Sequence, residues 1–359
     1  PAPPPPPARH HPPPPGNPAH TRGTTAQPHG PAHSHRERSQ DAVHFAAAFR
    51  MTPASVVLHT GSIVFNGAFC TLMPCFYLGA RYILHPVFDV DALITTVRDE
   101  GVTHVMMVPA QIIALLEYPD LDASDLASLQ TVLSLGAPLY QEHKDRFMAL
   151  LPGRLYELYG LTEGFVTILD KYDVERKPGS VGCPPPGFRM RIVDEKGQDL
   201  PAGEIGEIVG DGPIRMSGYH GRPDLTAATV RDGWIHTGDL GHVDEEGFLY
   251  LVDRKKDMII SGGVNVYPRD IEDVIVRHPE VVETAVFGTP SEKWGETPVA
   301  AVILRRGSQT SAAALLEWVN QRVDARYQRL SDILLLQEFP RNAAGKTLKR
   351  TLKETYAER

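Results

Sequence analysis

Cysteine is scarce: Cys70, Cys75 and Cys183 are the only three in 359 residues. They form no C-x-x-C pair and no metal-ligand spacing, which excludes a disulfide-stapled scaffold and a thiolate zinc site and points to a reducing, cytoplasmic compartment. An excess of positive charge is also missing. With 36 Lys and Arg against 44 Asp and Glu, the formal net charge is −8, the opposite of the basic footprint of a nucleic-acid binder. The N-terminus is rich in Pro and His and shows no apolar core of a secretory signal. The long charge-free run, residues 56–80, is interrupted by Gly61, Asn66, Gly67, Pro74 and Gly79 and carries His59. It predicts a buried helix and strand rather than a membrane span. No internal repeat stands out.

What remains is the profile of a globular protein. Hydrophobic residues make up 42% and charged residues 22%, both ordinary values, and the length predicts two domains with a large core. Residues 1–20 hold two proline runs around His10 and His11. Proline fixes φ and has no N–H to donate, so this stretch predicts an extended, disordered arm.

Beyond residue 41, helical and strand patterns alternate. Helices are expected over 91–100, 111–117 and 140–150, and apolar strands over 102–108, 131–135 and 154–159. Such alternation predicts an α/β fold with a parallel, doubly wound sheet. From residue 179 short β runs at 189–193, 204–209 and 248–252 are separated by Asp211-Gly212, Asp232-Gly233 and Glu246-Gly247, which predicts a small antiparallel, barrel-like subdomain. After Arg254 the pattern is α+β: helices over 271–277 and 311–325, strands over 281–287 and 299–304. The domain boundary is placed at 253–257, giving a sheet domain over 21–253 and a C-terminal domain over 254–359.

Several segments carry chemistry. Tyr159-Gly160-Leu161-Thr162-Glu163 ends a predicted strand. There an aromatic ring can stack on a base and a hydroxyl can bond a phosphate. A carboxylate can hold Mg²⁺, which prefers oxygen ligands. A helix N-cap with Thr162 as the capping residue is the structural alternative. Gly136-Ala137-Pro138 follows a strand and precedes a helix, where open α/β sheets bind ligands, although an ordinary turn has the same composition. Asp239 can accept from both hydroxyls of a ribose, and Arg254 can reach the same sugar; a turn residue beside Gly238 and a solvated charge are the alternatives. Lys256 and the Ser261-Gly262-Gly263 loop follow, and Pro340-Arg341-Asn342-Ala343-Ala344-Gly345-Lys346 lies near the C-terminus.

In this order and spacing, these segments resemble the adenylate-forming family, which includes acyl-CoA synthetases, adenylation domains of peptide synthetases and luciferases. The acyl-CoA synthetase branch, acting on fatty or hydroxycinnamate-like acids, fits best. The resemblance covers roughly residues 21–356 and implies an incomplete sheet domain with a mobile C-terminal domain. It further implies ATP, AMP, Mg²⁺, coenzyme A and a small carboxylic acid as ligands. Thr21-Arg22-Gly23-Thr24-Thr25-Ala26-Gln27-Pro28-His29-Gly30 resembles the family's phosphate loop, with Arg22, Ala26 and His29 departing from its pattern. Thr21, Gly23, Thr24 and Thr25 would hold phosphate.

The resemblance also assigns roles. Tyr159 would stack on adenine, flanked by Gly160 and Leu161, and Gly136, Ala137 and Pro138 would border it. Thr162 would touch phosphate, Glu163 would hold the metal, and Asp239 and Arg254 would hold ribose. Lys256 would be the hinge. Gly262 and Gly263 would line a pantetheine tunnel, a plain hairpin turn being the alternative, and Lys346 would bridge the attacking carboxylate and the α-phosphate. Phe165 and Val166 would line the acid pocket, and His59 would either line it or be a satisfied core residue. The family's usual stretch of sheet domain ahead of the phosphate loop has no counterpart here, so an N-terminally truncated chain is expected. A remnant that binds AMP or an acyl-adenylate with little or no adenylation is the alternative function, and an exposed sheet edge would favour a homo-oligomer.

Overall fold

The computed structural model describes residues 30–119, 121–341 and 347–358. The proline-rich arm, the loop residues Thr21, Arg22, Gly23, Thr24, Thr25, Ala26 and His29, and Lys346 lie outside the described residues.

A two-residue strand, β1 (Pro31–Ala32), leads into helix α1 (His35–Ala48). Ser34 starts that helix: its side chain accepts from the Glu37 amide while Glu37 reaches back to the Ser34 amide. Six strands then form one sheet: β2 (Val56–Thr60), β3 (Arg81–His85), β4 (His104–Met107), β5 (Thr131–Leu135), β6 (Leu155–Leu161) and β7 (Phe165–Leu169). Their order is β3-β2-β4-β5-β6-β7, parallel except for β7. The connecting helices are α2 (Phe69–Leu78), α3 (Val90–Glu100), α4 (Pro109–Leu116) and α5 (Gln141–Leu150).

Helices lie on both faces. On one, Phe45, Phe49, Cys70 and Cys75 pack on Val57, Met106 and Leu133. On the other, Leu93, Val97, Ile112 and Phe147 pack on Leu58, Val105 and Val132. Strands buried on both sides lose the alternation of a half-exposed strand, which is why β5, Thr-Val-Leu-Ser-Leu, is buried throughout. The charge-free run at 56–80 becomes β2 and α2; among the described residues no helix is long and apolar enough to cross a membrane.

The next unit is an antiparallel sheet of β8 (Arg189–Val193), β9 (Gly206–Asp211), β11 (Val230–Arg231), β12 (Trp234–Val243) and β13 (Leu249–Arg254), in the order β11-β12-β9-β8 with β13 also on β12. Its Ile192, Ile208, Ile235 and Leu249 share a core with the first sheet. Strand β10 (Gly218–Tyr219) pairs with β1, and helix α6 (Pro223–Thr229) lies between β10 and β11.

The C-terminal unit has β14 (Ile259–Ser261), β15 (Val264–Val266), α7 (Pro268–Ile275), β16 (Val281–Ser291), β17 (Gly295–Leu304), α8 (Ala312–Asn320), β18 (Asp332–Leu336) and α9 (Lys349–Ala357). Strand order is β15-β14-β17-β16, with β18 parallel to β17. Helix α8 stops at Asn320 rather than the expected residue 325. The Asn320 side chain ties the chain back to Leu330, donating to its carbonyl over 2.9 Å and accepting from its amide over 2.8 Å.

Candidate active site

A cleft of about 470 Å³ opens between the carboxyl ends of β5 and β6 and the C-terminal unit. The turn after β5 lies on its wall. Gly136 there has φ +93°, a left-handed value that a side chain rarely adopts, and Ala137 and Pro138 follow it along the wall.

Tyr159 and Gly160, at the end of β6, lie on the same wall. The Tyr159 hydroxyl donates to Asp239 Oδ2 over 2.8 Å, and Arg254 Nε stands 3.3 Å from Asp239 Oδ1. Burial and then the Asp239 carboxylate push the phenol well above its ordinary pKa, so it stays a donor. Asp239 and Arg254 are directly paired across β12 and β13. The Asp239 turn is fixed by Thr237, whose hydroxyl donates to the Ile208 carbonyl over 2.7 Å and accepts from the Asp239 amide over 3.1 Å.

Thr162 and Glu163 turn the chain into the β6–β7 hairpin; they do not cap a helix. A Cβ on Gly164, at φ +100°, would lie 2.0 Å from the Ile214 carbonyl oxygen, so the turn requires glycine. Distant segments anchor it: His33 Nε2 lies 2.7 Å from the Thr162 carbonyl oxygen, and the Met216 amide donates to the Glu163 carbonyl over 2.8 Å. Burial, then Arg38, lowers His33 to about 4, so it is neutral at pH 7. The Tyr219 hydroxyl donates to Glu163 Oε1 over 2.6 Å. Leu161, Glu163, Tyr219, Glu207 and His236 line a second cavity of about 300 Å³.

Lys256 lies on the cleft wall two residues past Arg254, beside a tight turn in which Asp257 and Met258 donate to the Arg254 carbonyl. Arg341 and Thr347, which flank the segment containing Lys346, also line the cleft and pair with each other. Gly262 and Gly263 do not line it. They form the β14–β15 turn, where the Gly262 amide donates to the Trp294 carbonyl over 2.7 Å.

The structure turns Phe165 and Val166 away from the pocket role, and gives His59 the core alternative. Phe165 and Val166 are 0% and 4% exposed, and Phe165 faces β9, where a Cβ on Gly210 would come 2.1 Å from its ring. Both are core: Phe165 faces the second sheet, and Val166, on the opposite face of β7, packs beside Gly160, where a Cβ would come 2.7 Å from its Cγ1. His59 is buried against the Tyr82 ring, 6.2 Å between centroids, and does not line the cleft. The residues that sequence reasoning missed are His33, Tyr219, Tyr140 and Glu272. The last two lie on the cleft wall.

A family model described as AMP-binding enzyme matches residues 4–220, and one described as AMP-binding enzyme C-terminal domain matches residues 270–346. The chain belongs to the AMP-binding enzyme family. Among curated relatives of this AMP-binding enzyme, feruloyl-CoA synthase of Amycolatopsis sp is 36% identical over 349 residues, covering 94% of this chain and 69% of the relative. The long-chain-fatty-acid–CoA ligase of Bacillus subtilis is 40% identical over 283 residues, covering 78% and 50%. Among solved structures, ATP-bound MatB from Rhodopseudomonas palustris superposes with TM-score 0.88 at 33% identity, covering 94% of this chain and 67% of that one. The o-succinylbenzoate CoA synthetase MenE from Bacillus subtilis, bound to its acyl-adenylate, superposes with TM-score 0.82 at 31% identity, covering 93% and 68%.

Proposed function

We propose that the protein is an ATP-dependent acid–CoA ligase that works through an acyl-adenylate. The observation that carries this reading is the Asp239 carboxylate, held by Tyr159 and Arg254 on the wall of an interdomain cleft. A carboxylate so fixed can accept from both hydroxyls of a ribose, while the Gly136–Pro138 turn and Tyr159 border the base.

In the first half-reaction a carboxylate oxygen of the acid attacks the α-phosphorus of ATP and pyrophosphate leaves. Two anions must approach, and Lys346 is the cation that offsets their repulsion; its neighbour Thr347 lies on the cleft wall. Thr162 hydrogen-bonds phosphate. In the second, the C-terminal domain, residues 254–359, turns about Lys256 and brings Gly262 and Gly263 to the cleft. The coenzyme A thiol then attacks the acyl carbon and AMP leaves. Gly262 and Gly263 stand outside the cleft while Thr347 lines it, which supports assigning this structure to the first half-reaction.

Glu163 fits a Mg²⁺ ion. It offers a hard oxygen ligand on an open cavity, and among the described residues no group of three acidic, His or Cys side chains would complete a site. The remaining ligands would be phosphate oxygens and water. When bound, the ion neutralises phosphate charge. The cysteines take no covalent part: burial pushes the Cys75 thiol up to about 12 and the Cys183 thiol up to about 11. Free thiols and the two substrates ATP and CoA support a cytoplasmic setting.

The acid is a fatty or aromatic carboxylic acid with an apolar body. Ile113, Val181 and Leu251 on the cleft wall, and relatives named for feruloyl-CoA, indoleacetate and long-chain fatty acids, support this. ATP–pyrophosphate exchange with a panel of fatty and aromatic acids tests the reading, with Lys346→Ala as control. Exchange with one class, lost in the control, is expected. Arg22, Ala26 and His29 in the phosphate loop favour a second reading, a remnant that binds AMP without adenylation, and absence of exchange in a folded protein would select it.

A further inference from the structure

Glu272, on α7, is 4% exposed. Its Oε1 accepts from the Val286 amide and from Lys349 Nζ, each over 2.7 Å. Its Oε2 accepts from the Tyr140 hydroxyl over 2.8 Å. The first two donors belong to the C-terminal unit and travel with Glu272. Tyr140 belongs to the sheet domain, immediately before α5. One buried carboxylate therefore holds two donors of its own unit and one from across the cleft. Burial, then Glu272, pushes the Tyr140 phenol well above its ordinary range, so it remains a donor. Lys349 is held charged: burial opposes its charge, but Glu272 and Asp253 outweigh that and raise its pKa.

A second link crosses the same boundary. Arg305, just past β17, binds Glu117 at the end of α4, and Glu117 also takes Arg146 Nη1 over 2.8 Å. Arg305 is 36% exposed at its side chain, so this pair is screened and weaker than the buried one.

A rotation of the C-terminal unit about Lys256 large enough to part the two units would break Tyr140–Glu272 and Glu117–Arg305 and leave the other two bonds of Glu272 in place. We propose that these two pairs clamp the arrangement in which Arg341 and Thr347 face the cleft, and so set the balance between the two half-reactions. Tyr140 and Glu272 are positioning residues; they need touch neither phosphate nor acid. The inference rests on the acid–CoA ligase reading for its kinetic arm and on geometry alone for its structural arm.

Tyr140→Phe keeps the ring and removes the donor. A hydrogen bond to a buried charged group has a strength that corresponds to about tenfold or more in an equilibrium. Amide hydrogen exchange in α7 is expected to quicken about tenfold. Pyrophosphate exchange is expected to slow about tenfold, while thioester formation from supplied acyl-adenylate holds or rises. Arg305→Met is expected to move both readouts in the same directions by about threefold. Unchanged exchange in α7 with both variants would overturn the clamp, whatever the catalytic result. Equal slowing of both half-reactions would overturn its positioning role. If no acid supports pyrophosphate exchange in the unaltered protein, the ligase reading fails, and amide exchange alone decides whether the clamp exists.

Discussion

The Tyr159 hydroxyl donates to Asp239 over 2.8 Å while Arg254 holds the other oxygen of the same carboxylate at 3.3 Å. Three strands from two sheets thus converge on one anion, and AMP binding should depend on it. Asp239→Ala is expected to weaken AMP by about 30-fold or more, the scale of a lost charge-assisted pair of hydrogen bonds. Tyr159→Phe should cost only about threefold to tenfold, because Arg254 still orients the carboxylate. Isothermal titration with AMP checks both; an Asp239→Ala protein that binds AMP normally would remove the ribose assignment.

Glu163 separates metal binding from nucleotide binding. Glu163→Gln keeps the size of the side chain and removes its charge. The expected result is AMP affinity unchanged within about twofold and loss of the Mg²⁺-dependent gain in ATP affinity. Paired titrations of ATP with and without Mg²⁺ decide this. An equal loss for AMP would mean that Glu163 serves the turn, not the ion.

Lys144 and Glu157 form an ion pair in which both residues are at most 3% exposed. Glu157 lies two residues before Tyr159 and reaches the cleft wall. Removing one partner strands a buried charge, so Lys144→Met should destabilise by about 3–5 kcal/mol in urea unfolding. Lys144→Met combined with Glu157→Leu should recover a large part of that loss. If the double variant is worse than the sum of its parts, packing rather than charge governs the site.

The parts of this site legible in the sequence are local. The turns at Gly136 and Tyr159 follow short runs bounded by turn signals that read as strands, and Asp239 and Arg254 sit on a hairpin announced by Glu246-Gly247. Contacts across the chain left no local mark. Tyr140 and Glu272 are 132 residues apart, and Tyr219 is 56 from Glu163; each reads as an ordinary face residue until the fold joins them. Phe165 and Val166 misled because their place directly after Glu163 suits a pocket lining as much as a core strand.

Acid should loosen the His33 anchor. His33 is 3% exposed and its pKa is lowered to about 4 from 6.5. Between these values the unfolded chain binds more protons than the folded one, so this contribution is complete above about pH 6.5 and is lost as pH falls toward 4. At pH 5 the loss is on the order of 2 kcal/mol. His33→Asn does not titrate, so the gap in unfolding free energy between the original protein and this variant should shrink from pH 7 to pH 5. Parallel pH profiles for the two would contradict a buried, neutral His33.

Mass spectrometry of the products formed from ATP, Mg²⁺, coenzyme A and either a hydroxycinnamate or a long-chain fatty acid decides whether the protein is an acid–CoA ligase. One acyl-CoA thioester and one AMP, formed in equal amounts from one of the two acids and both lost in Lys346→Ala, are the expected products. ADP in place of AMP, or AMP without thioester in the presence of coenzyme A, would contradict the ligase reading.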